Sequence, residues 1–161
     1  MGKTIRRRRK EGKTDYGARL EMLKSNNVRL IIRKTNRYII AQFVQSDIAQ
    51  DSVISAANSR MLLDIGWPKE LSGSLKSKQA AYLTGLMLGA ASKSKVKSAI
   101  VDIGLHRNVK KSRIYSALKG IIDSGIKIPH GKEALPSEED LNSNEKLSPL
   151  ITKLKSKIQN G

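Results

Sequence analysis

The sequence predicts an α/β fold, in which a mixed sheet of an antiparallel three-strand meander and parallel strands has helices packed on it. Residues 28–57 contain three strand-like runs separated by short polar segments. Two helical patterns follow, at residues 79–92 and beyond residue 108, and an apolar run at residues 98–103 lies between them. Because helical crossovers join parallel strands, the later strands should pair in parallel.

A short helix is predicted over residues 16–24, ahead of the first strand. Thr14 or Asp15 can accept the free N–H groups at its start, and Asn26-Asn27 can end it. The run Arg6–Lys10 lies before this helix, and five neighbouring like charges repel each other. We therefore expect an extended basic arm that becomes ordered on phosphate, with a solubilising tail or a targeting signal as the alternatives.

The predicted strands cover residues 28–34, 37–45 and 52–57, where β-branched and aromatic residues are enriched. Thr35-Asn36 forms the first predicted turn, and residues 46–51 form the second. These short connections favour an antiparallel meander.

The period of the apolar residues changes after the meander. Residues 79–92 place apolar side chains at helical spacing, and residues 98–103 form another apolar strand. Asn108 can cap a second long helix, and Gly125 stands where that helix should stop. A short last strand is predicted at residues 126–128.

Three parts are predicted along the chain: a basic RNA-binding arm at 1–13, an α/β domain at 14–130 and a helical tail at 131–161. Within the tail, Ser137 precedes three acidic residues and reads as a helix cap. Ser148-Pro149 begins another amphipathic helix.

Charge is the strongest feature of the composition. The 161 residues include 31 Lys and Arg against 14 Asp and Glu, a net charge of +17. Residues 1–37 hold 13 basic and 3 acidic residues, and residues 60–120 hold 12 and 3. Such an excess points to nucleic acid as partner, with an anionic membrane surface as second candidate. Because aromatic residues make up only 4%, phosphate contact is favoured over base stacking.

Several functional classes are excluded or disfavoured by composition. The chain has no Cys and two His, which excludes disulfides, cysteine-ligated metals and thiol catalysis. The longest uncharged stretch, 79–92, is too short to cross a bilayer, and no apolar run follows the basic start. An intracellular, cytoplasmic protein is the expectation.

Two groups of cations suggest phosphate contacts. Lys34 and Arg37 flank the first turn, where Asn36 can adopt a left-handed conformation, and Arg29 and Arg33 share one face of the first strand. An ordinary polar turn is the alternative.

The second group, His106, Arg107, Lys110, Lys111 and Arg113, lies before the second long helix. Cations there fail to offset the helix dipole, which makes sense if a phosphate lies among them. A solvated basic face is the alternative, and His106 could instead be a structural hydrogen-bond donor.

The aromatic and acidic residues support fewer functional hypotheses. Tyr16 could stack on a base, whereas Tyr38 and Trp67 are expected to pack, Trp67 by fixing its loop on the core. Asp102 and His106 invite a metal or acid–base interpretation, but they need not face each other. We expect no catalytic residue, metal or cofactor.

Many short strings, in order and spacing, resemble the archaeal and eukaryotic type of the large-subunit ribosomal protein of universal family eighteen, which binds 5S ribosomal RNA. The strings span most of residues 3 to about 141 and are Arg6–Lys10, Lys13-Thr14-Asp15-Tyr16, Ala18-Arg19-Leu20, Arg33-Lys34-Thr35-Asn36, Ile40-Ala41-Gln42, Ala80–Gly85, Asp102–Arg107, Ala117–Gly120, Asp123, Gly125, Ile128-Pro129-His130 and Leu135–Glu138. The length favours an archaeal source.

This resemblance implies a ribonuclease-H-like topology and a place in the central protuberance, beside 5S rRNA, large-subunit rRNA and the family-five protein. A metal-dependent nuclease of the same topology is the alternative function, but two-metal sites need converging carboxylates and the first strand has none. Membrane attachment is not expected. The predicted RNA-binding residues are Arg6, Arg7, Arg8, Arg9, Lys10, Lys13, Tyr16, Arg19, Arg29, Arg33, Lys34, Asn36, Arg37, His106, Arg107, Lys110, Lys111 and Arg113.

Overall fold

A computed structural model describes residue 5 and residues 7–47, 50–144 and 147–160. It contains a four-stranded mixed sheet with helices packed on it, which confirms the predicted mixed α/β class. The strands are β1 Arg29–Lys34, β2 Ile39–Asp47, β3 Gln50–Asn58 and β4 Ile100–Asp102. The α-helices are α1 Arg7–Lys10, α2 Tyr16–Lys24, α3 Leu62–Ile65, α4 Lys78–Ser92, α5 Arg113–Asp123, α6 Glu138–Asn142 and α7 Ser148–Asn160, with 3₁₀ turns at Ser59–Met61, Lys69–Ser74 and Lys132–Ala134.

The strand order is β3-β2-β1-β4. The first three strands pair antiparallel, and β4 pairs parallel to β1, as the sequence predicts. In place of the predicted last strand, Lys127 forms a single parallel bridge with Ser98. The sheet therefore combines two antiparallel pairings, β3–β2 and β2–β1, with one parallel pairing, β1–β4.

The first hairpin turn lies one residue later than predicted. The Thr35 N–H donates to the Tyr38 carbonyl (2.9 Å), so Asn36 and Arg37 form the tip. Among the described non-glycine residues, only Asn26 and Lys111 have a positive φ, so Asn36 does not adopt the expected left-handed conformation. The turn between β2 and β3 includes residues 48 and 49, outside the described residues.

The main core lies between the sheet and the pair α4 and α5. Leu30 and Ile32 point from β1 into it, and Leu88 and Leu118 meet them from the two helices. Burying such side chains supplies most of the favourable free energy of folding. The core fixes one face of β1 inward and leaves Arg29 and Arg33 on the opposite face.

Local signals set most helix boundaries. The Asp15 carboxylate accepts the N–H groups of Gly17 and Ala18, so α2 begins as predicted. Gly125, with φ +102°, ends α5 as predicted. The predicted start of α5 is wrong: Asn108 accepts the Tyr115 O–H (2.7 Å), and the helix begins at Arg113 after the cap residue Ser112.

A second apolar cluster lies between α4 and the C-terminal helices. Trp67 is buried there and its indole N–H donates to the Leu71 carbonyl (3.1 Å), which confirms its predicted role. Leu154 of α7 packs into the same cluster. The cap predicted at Ser137 is confirmed as a reciprocal capping box with Asp140, and α7 begins at Ser148, as predicted.

Candidate nucleic-acid interface

Basic side chains from distant parts of the sequence meet where the parallel strands end. Lys34 ends β1, and the loop at 103–112 follows β4 at the same edge of the sheet. The backbone N–H of Lys34 donates to Nε2 of His106 (3.1 Å), which ties the loop to β1. We call Arg33, Lys34, His106, Arg107 and Arg113 the basic edge.

Arg29 does not belong to this surface. Its side chain is 1% exposed, and its guanidinium donates to Asp51 (2.8 Å), Asp102 (3.3 Å) and Ser46 (2.8 Å). This burial argues against the predicted RNA contact of Arg29, because the side chain offers no free donor at the surface. Period-two alternation correctly placed Arg29 and Arg33 on one face, but Arg29 lies at the covered end of that face.

Asp51 supports this buried charge from β3. Burial alone would raise the pKa of its carboxyl, but hydrogen bonds from Ser46, Arg19 and Arg29 outweigh burial and hold the pKa at about 2. Arg19 reaches Asp51 from α2 at 2.7 Å. The Arg19 guanidinium is thus partly engaged inside the protein.

The Asp102 side chain, at the end of β4, links β4 to β1 through hydrogen bonds. Its carboxylate accepts from Arg29, from Arg33 (2.8 Å) and from the Gly104 N–H (2.8 Å). Gly104 has φ +59°, and a Cβ there would lie 2.9 Å from the Arg33 guanidinium carbon. The contacts with Asp102 and Gly104 therefore restrict the position of the Arg33 guanidinium, and the side chain remains 36% exposed at the basic edge.

His106 is a hydrogen-bond acceptor, not the donor that the sequence interpretation allowed. Burial of the ring, together with the nearby charges of Arg33 and Lys34, lowers the pKa of His106 below its ordinary value. A neutral ring leaves Nε2 free to accept the Lys34 N–H. The imidazole therefore fixes the loop without adding a positive charge at neutral pH.

The four lysines and arginines predicted to bind RNA in and just after this loop, Arg107, Lys110, Lys111 and Arg113, divide into two groups. Lys110 pairs with Glu133 (2.8 Å) and Lys111 with Asp140 (3.1 Å), which fastens the loop to the C-terminal part of the chain. A backbone hydrogen bond at Ser137 and the Lys111 ammonium hold the pKa of Asp140 at about 2. No carboxylate of the described residues pairs with Arg107 or Arg113, so their charges face the solvent side.

The arm differs from the extended expectation over its described part. Arg7–Lys10 forms a single helical turn, and Arg7 pairs with Glu11 (2.8 Å). Arg8 donates to the Thr14 hydroxyl (2.9 Å), and Lys13 pairs with Glu11 (2.8 Å). Arg9 and Lys10 are exposed, and Arg6 lies outside the described residues. Glu11 offsets part of the repulsion that motivated the extended prediction.

A mixed-charge cavity of about 320 Å³ lies between the arm and the basic edge. Arg8, Lys13 and Arg19 line it from one side and Arg33 from the other, with Asp15 and Asp102 between them. Asn36 and Arg37 are exposed at the hairpin tip, and Tyr16 is half-buried at the start of α2. These residues extend the basic surface from the basic edge toward the arm.

A second cavity, of about 440 Å³, opens on the other side of the basic edge. Lys34, His106, Arg107 and Arg113 line it, together with Lys78 at the start of α4. The sequence analysis missed Lys78, because the apolar pattern predicts a helix only from residue 79. A cation in the first turn of a helix, just after the cap Ser77, was the available signal.

Within the described residues, no group of three or more His, Cys, Asp or Glu side chains is arranged to hold a metal ion. In the same part of the chain, no helix is both long enough and apolar enough to span a bilayer.

The chain is similar in sequence to proteins of the large ribosomal subunit. A family described as ribosomal large subunit proteins 60S L5 and 50S L18 matches residues 3–99 and 89–131. The large ribosomal subunit protein uL18 of Korarchaeum cryptofilum is 49% identical over 134 residues, which cover 83% of this chain and 67% of that protein. The uL18 proteins of Aeropyrum pernix (44% identity, 83% and 61% coverage) and Methanoregula boonei (40%, 90% and 85%) are also similar.

Proposed function

This chain belongs to the family of large-subunit ribosomal proteins that includes 60S L5 and 50S L18, and we propose that it binds 5S ribosomal RNA and helps to attach it to large-subunit rRNA. Proteins of this family are structural constituents of the large ribosomal subunit, so the role is one of binding rather than catalysis. The proposed partners are 5S rRNA, large-subunit rRNA and the neighbouring family-five protein of the central protuberance.

The observation that carries the proposal is the unpaired charge of the basic edge. Arg107 and Arg113 line one cavity with Lys34 and have no carboxylate partner in the described chain, whereas Lys110 and Lys111 each form a surface ion pair with a carboxylate of the chain. Leaving cations unpaired at one edge costs free energy through mutual repulsion. The negative charge of RNA phosphates offsets that repulsion, and the counterions released from the RNA add to the affinity. Phosphate contacts of this kind supply affinity and orient the protein on the RNA, but they contribute little to the recognition of a particular RNA sequence.

The order of strands supports the ribonuclease-H-like topology that the resemblance implies. The meander β3-β2-β1 continues into parallel β4, and the Ser98–Lys127 bridge extends the parallel edge. On this scaffold we propose that residues 1–13 reach into rRNA, that residues 14–130 form the 5S rRNA-binding domain and that residues 131–161 form a helical tail. Arg29 is left out of the proposed RNA-contacting set because it is buried.

The proposal is tested by titrating the full chain against 5S rRNA and against an unrelated structured RNA in a gel-shift assay. Arg107→Ala should weaken 5S rRNA binding by about tenfold, as expected for the loss of one charge-assisted contact. Lys95→Ala removes an equal charge from the exposed turn that follows α4 and serves as control, with little expected effect.

Tighter binding to 5S rRNA than to the unrelated RNA supports the proposal. Equal affinity for the two RNAs, or equal losses in Arg107→Ala and Lys95→Ala, would refute it, because the protein would then act only as a diffuse polycation. Unfolding temperatures of both variants should match the parent chain, since both side chains are exposed.

A further inference from the structure

The N-termini of α4 and α5 lie side by side next to the basic edge. The two helices run in the same direction, since Gly85 lies against Ala117 and, one turn later in both helices, Gly89 lies against Ile121. A Cβ atom at Gly85 or Gly120 would collide with the backbone of the other helix, so the two backbones are in contact. Parallel helices in contact add the positive ends of their dipoles at one place.

Nothing acidic in the described first turns compensates this positive end. Neither α4 nor α5 has Asp or Glu in its first turn, and their first residues are Lys78 and Arg113. Basic side chains there lower helix stability. The parallel strands β1 and β4 also end at this edge, and open α/β sheets bind ligands beyond the carboxyl ends of their strands. The arrangement is costly alone and becomes favourable with a bound anion.

The cavity of about 440 Å³ provides the space for that anion. Lys34, Lys78, His106, Arg107 and Arg113 line it, and no carboxylate of the described chain does. The cations come from four separate places: the end of β1, the loop after β4 and the first residues of two helices. The cavity is therefore built by the tertiary fold and is not a run of neighbouring basic residues.

A hydroxyl group without a hydrogen bond lies beside the same cavity. The Ser112 hydroxyl oxygen, at the cap position of α5, is buried and has no partner among the described residues. At the equivalent position of α4, the Ser77 hydroxyl accepts the Ala80 N–H (3.2 Å). Ser112 lines the cavity, and its α5 helix lacks a side-chain cap. A buried unpaired hydroxyl is unfavourable, so a hydrogen-bond partner is expected there.

We propose that this cavity is a phosphate-binding site. The phosphate oxygens accept hydrogen bonds from the Ser112 hydroxyl and from free N–H groups of the first turn of α5, while Lys78, Arg107 and Arg113 balance the charge. The inference deepens the proposed function and rests on it only for the source of the phosphate. That source is either an internal phosphate of the RNA backbone or a terminal RNA phosphate, which share the same chemistry.

The site is tested by NMR titration of the full chain with inorganic phosphate, with chloride adjusted to keep the ionic strength constant. We expect saturable shifts of the backbone amides of residues 78–80 and 112–114. The double variant Lys78→Ala and Arg113→Ala should lose at least about tenfold in phosphate affinity. The control double variant Lys95→Ala and Lys97→Ala, at two exposed positions after the C-terminal end of α4, should keep the parent affinity.

A thermal melt separates this role from a purely structural one. Removing cations from helix N-termini should leave the unfolding temperature unchanged or raise it, while phosphate should stabilise the parent chain more than the double variant. Shifts that do not saturate, or that are equal in the double variant and the control, would overturn the site. If Arg113→Ala fails to fold, Lys78→Gln alone keeps the comparison, with the same outcomes.

RNA probes then identify the source. Inorganic phosphate should compete with an oligonucleotide, and a preference for its 5′-phosphorylated over its 5′-hydroxyl form identifies a terminal phosphate, while equal binding identifies the backbone. Absence of competition with either form overturns the site. A chain that binds inorganic phosphate at residues 112–114 but not 5S rRNA refutes the proposed function and leaves the site intact. Unchanged phosphate binding in the double variant, together with weaker 5S rRNA binding, refutes the site alone.

Discussion

Replacing Asp102 by Asn should destabilise the fold far more than the loss of a surface charge. The substitution keeps the shape of the side chain and removes the charge that two arginines share. The side chains of Arg29 and Asp102 are 1% and 6% exposed, and their closest charged atoms are 3.3 Å apart. Arg29 would remain buried with only Asp51 as a carboxylate partner.

The magnitude follows from burial. Removing one partner of a buried ion pair costs about 3–5 kcal/mol, and the surviving Asp51 contact places this case near the lower end, at about 3 kcal/mol. The partly exposed Arg33 contact adds at most about 1 kcal/mol after solvent screening. For a chain of this size, a loss of 3–4 kcal/mol lowers the unfolding temperature by roughly 6–16 °C.

Thermal and urea unfolding of the full chain, followed by circular dichroism, measures this effect. Asp64→Asn is the matched control, because the same change at an exposed carboxylate should stay within about 0.5 kcal/mol. A destabilisation below about 1 kcal/mol by Asp102→Asn would refute the reasoning, since Arg29 would then have no need of its buried partner.

Three further outcomes are expected. Gly85→Ala should lower the free energy of unfolding by at least about 2 kcal/mol, because the new Cβ meets the Ala117 carbonyl, while Gly73→Ala, with nothing within 4 Å, should be nearly neutral in the same urea titration. The pKa of His106 is lowered on folding, so its contribution to the free energy of unfolding is present above pH about 6.5 and is lost at lower pH, where protonation favours the unfolded chain. His106→Ala should therefore flatten the fall in stability below pH about 6.5, and an unchanged slope would contradict the assignment. Deleting residues 1–13 should weaken binding to assembled rRNA with an unchanged circular dichroism spectrum, and equal affinity would exclude a role for the arm.

Local signals in the sequence were sufficient for most of the fold. The capping residue Asp15 and the stop at Gly125 act within a few residues of the helix ends that they set. Period-two alternation and short connections gave the meander, and crossover helices gave the parallel pairing of β4. Asn108 suggested the wrong start for α5, because a cap residue acts only where the chain enters a helix. The chain enters α5 after Lys111, whose N–H donates to the carbonyl of Ala134, far away in the sequence.

The candidate site depends on contacts that no short window of sequence contains. The sequence pattern suggested that Arg29 is a surface cation, but in the structure Asp51 and Asp102, from two other strands, pair with it in a buried position. The sequence gives no sign that Lys110 and Lys111 are paired, but in the structure Glu133 and Asp140 of the C-terminal region form ion pairs with them. Charge counting therefore predicts that a basic surface exists, whereas the fold decides which cations are left to form it.

The most direct test is an electron cryomicroscopy map of the large ribosomal subunit that contains this protein. The account predicts the guanidinium groups of Arg107 and Arg113 within hydrogen-bond distance of RNA phosphates, and Arg29 still enclosed by Asp51 and Asp102. A map in which Arg107 and Arg113 point into open solvent, with no RNA against the end of β1, would contradict it.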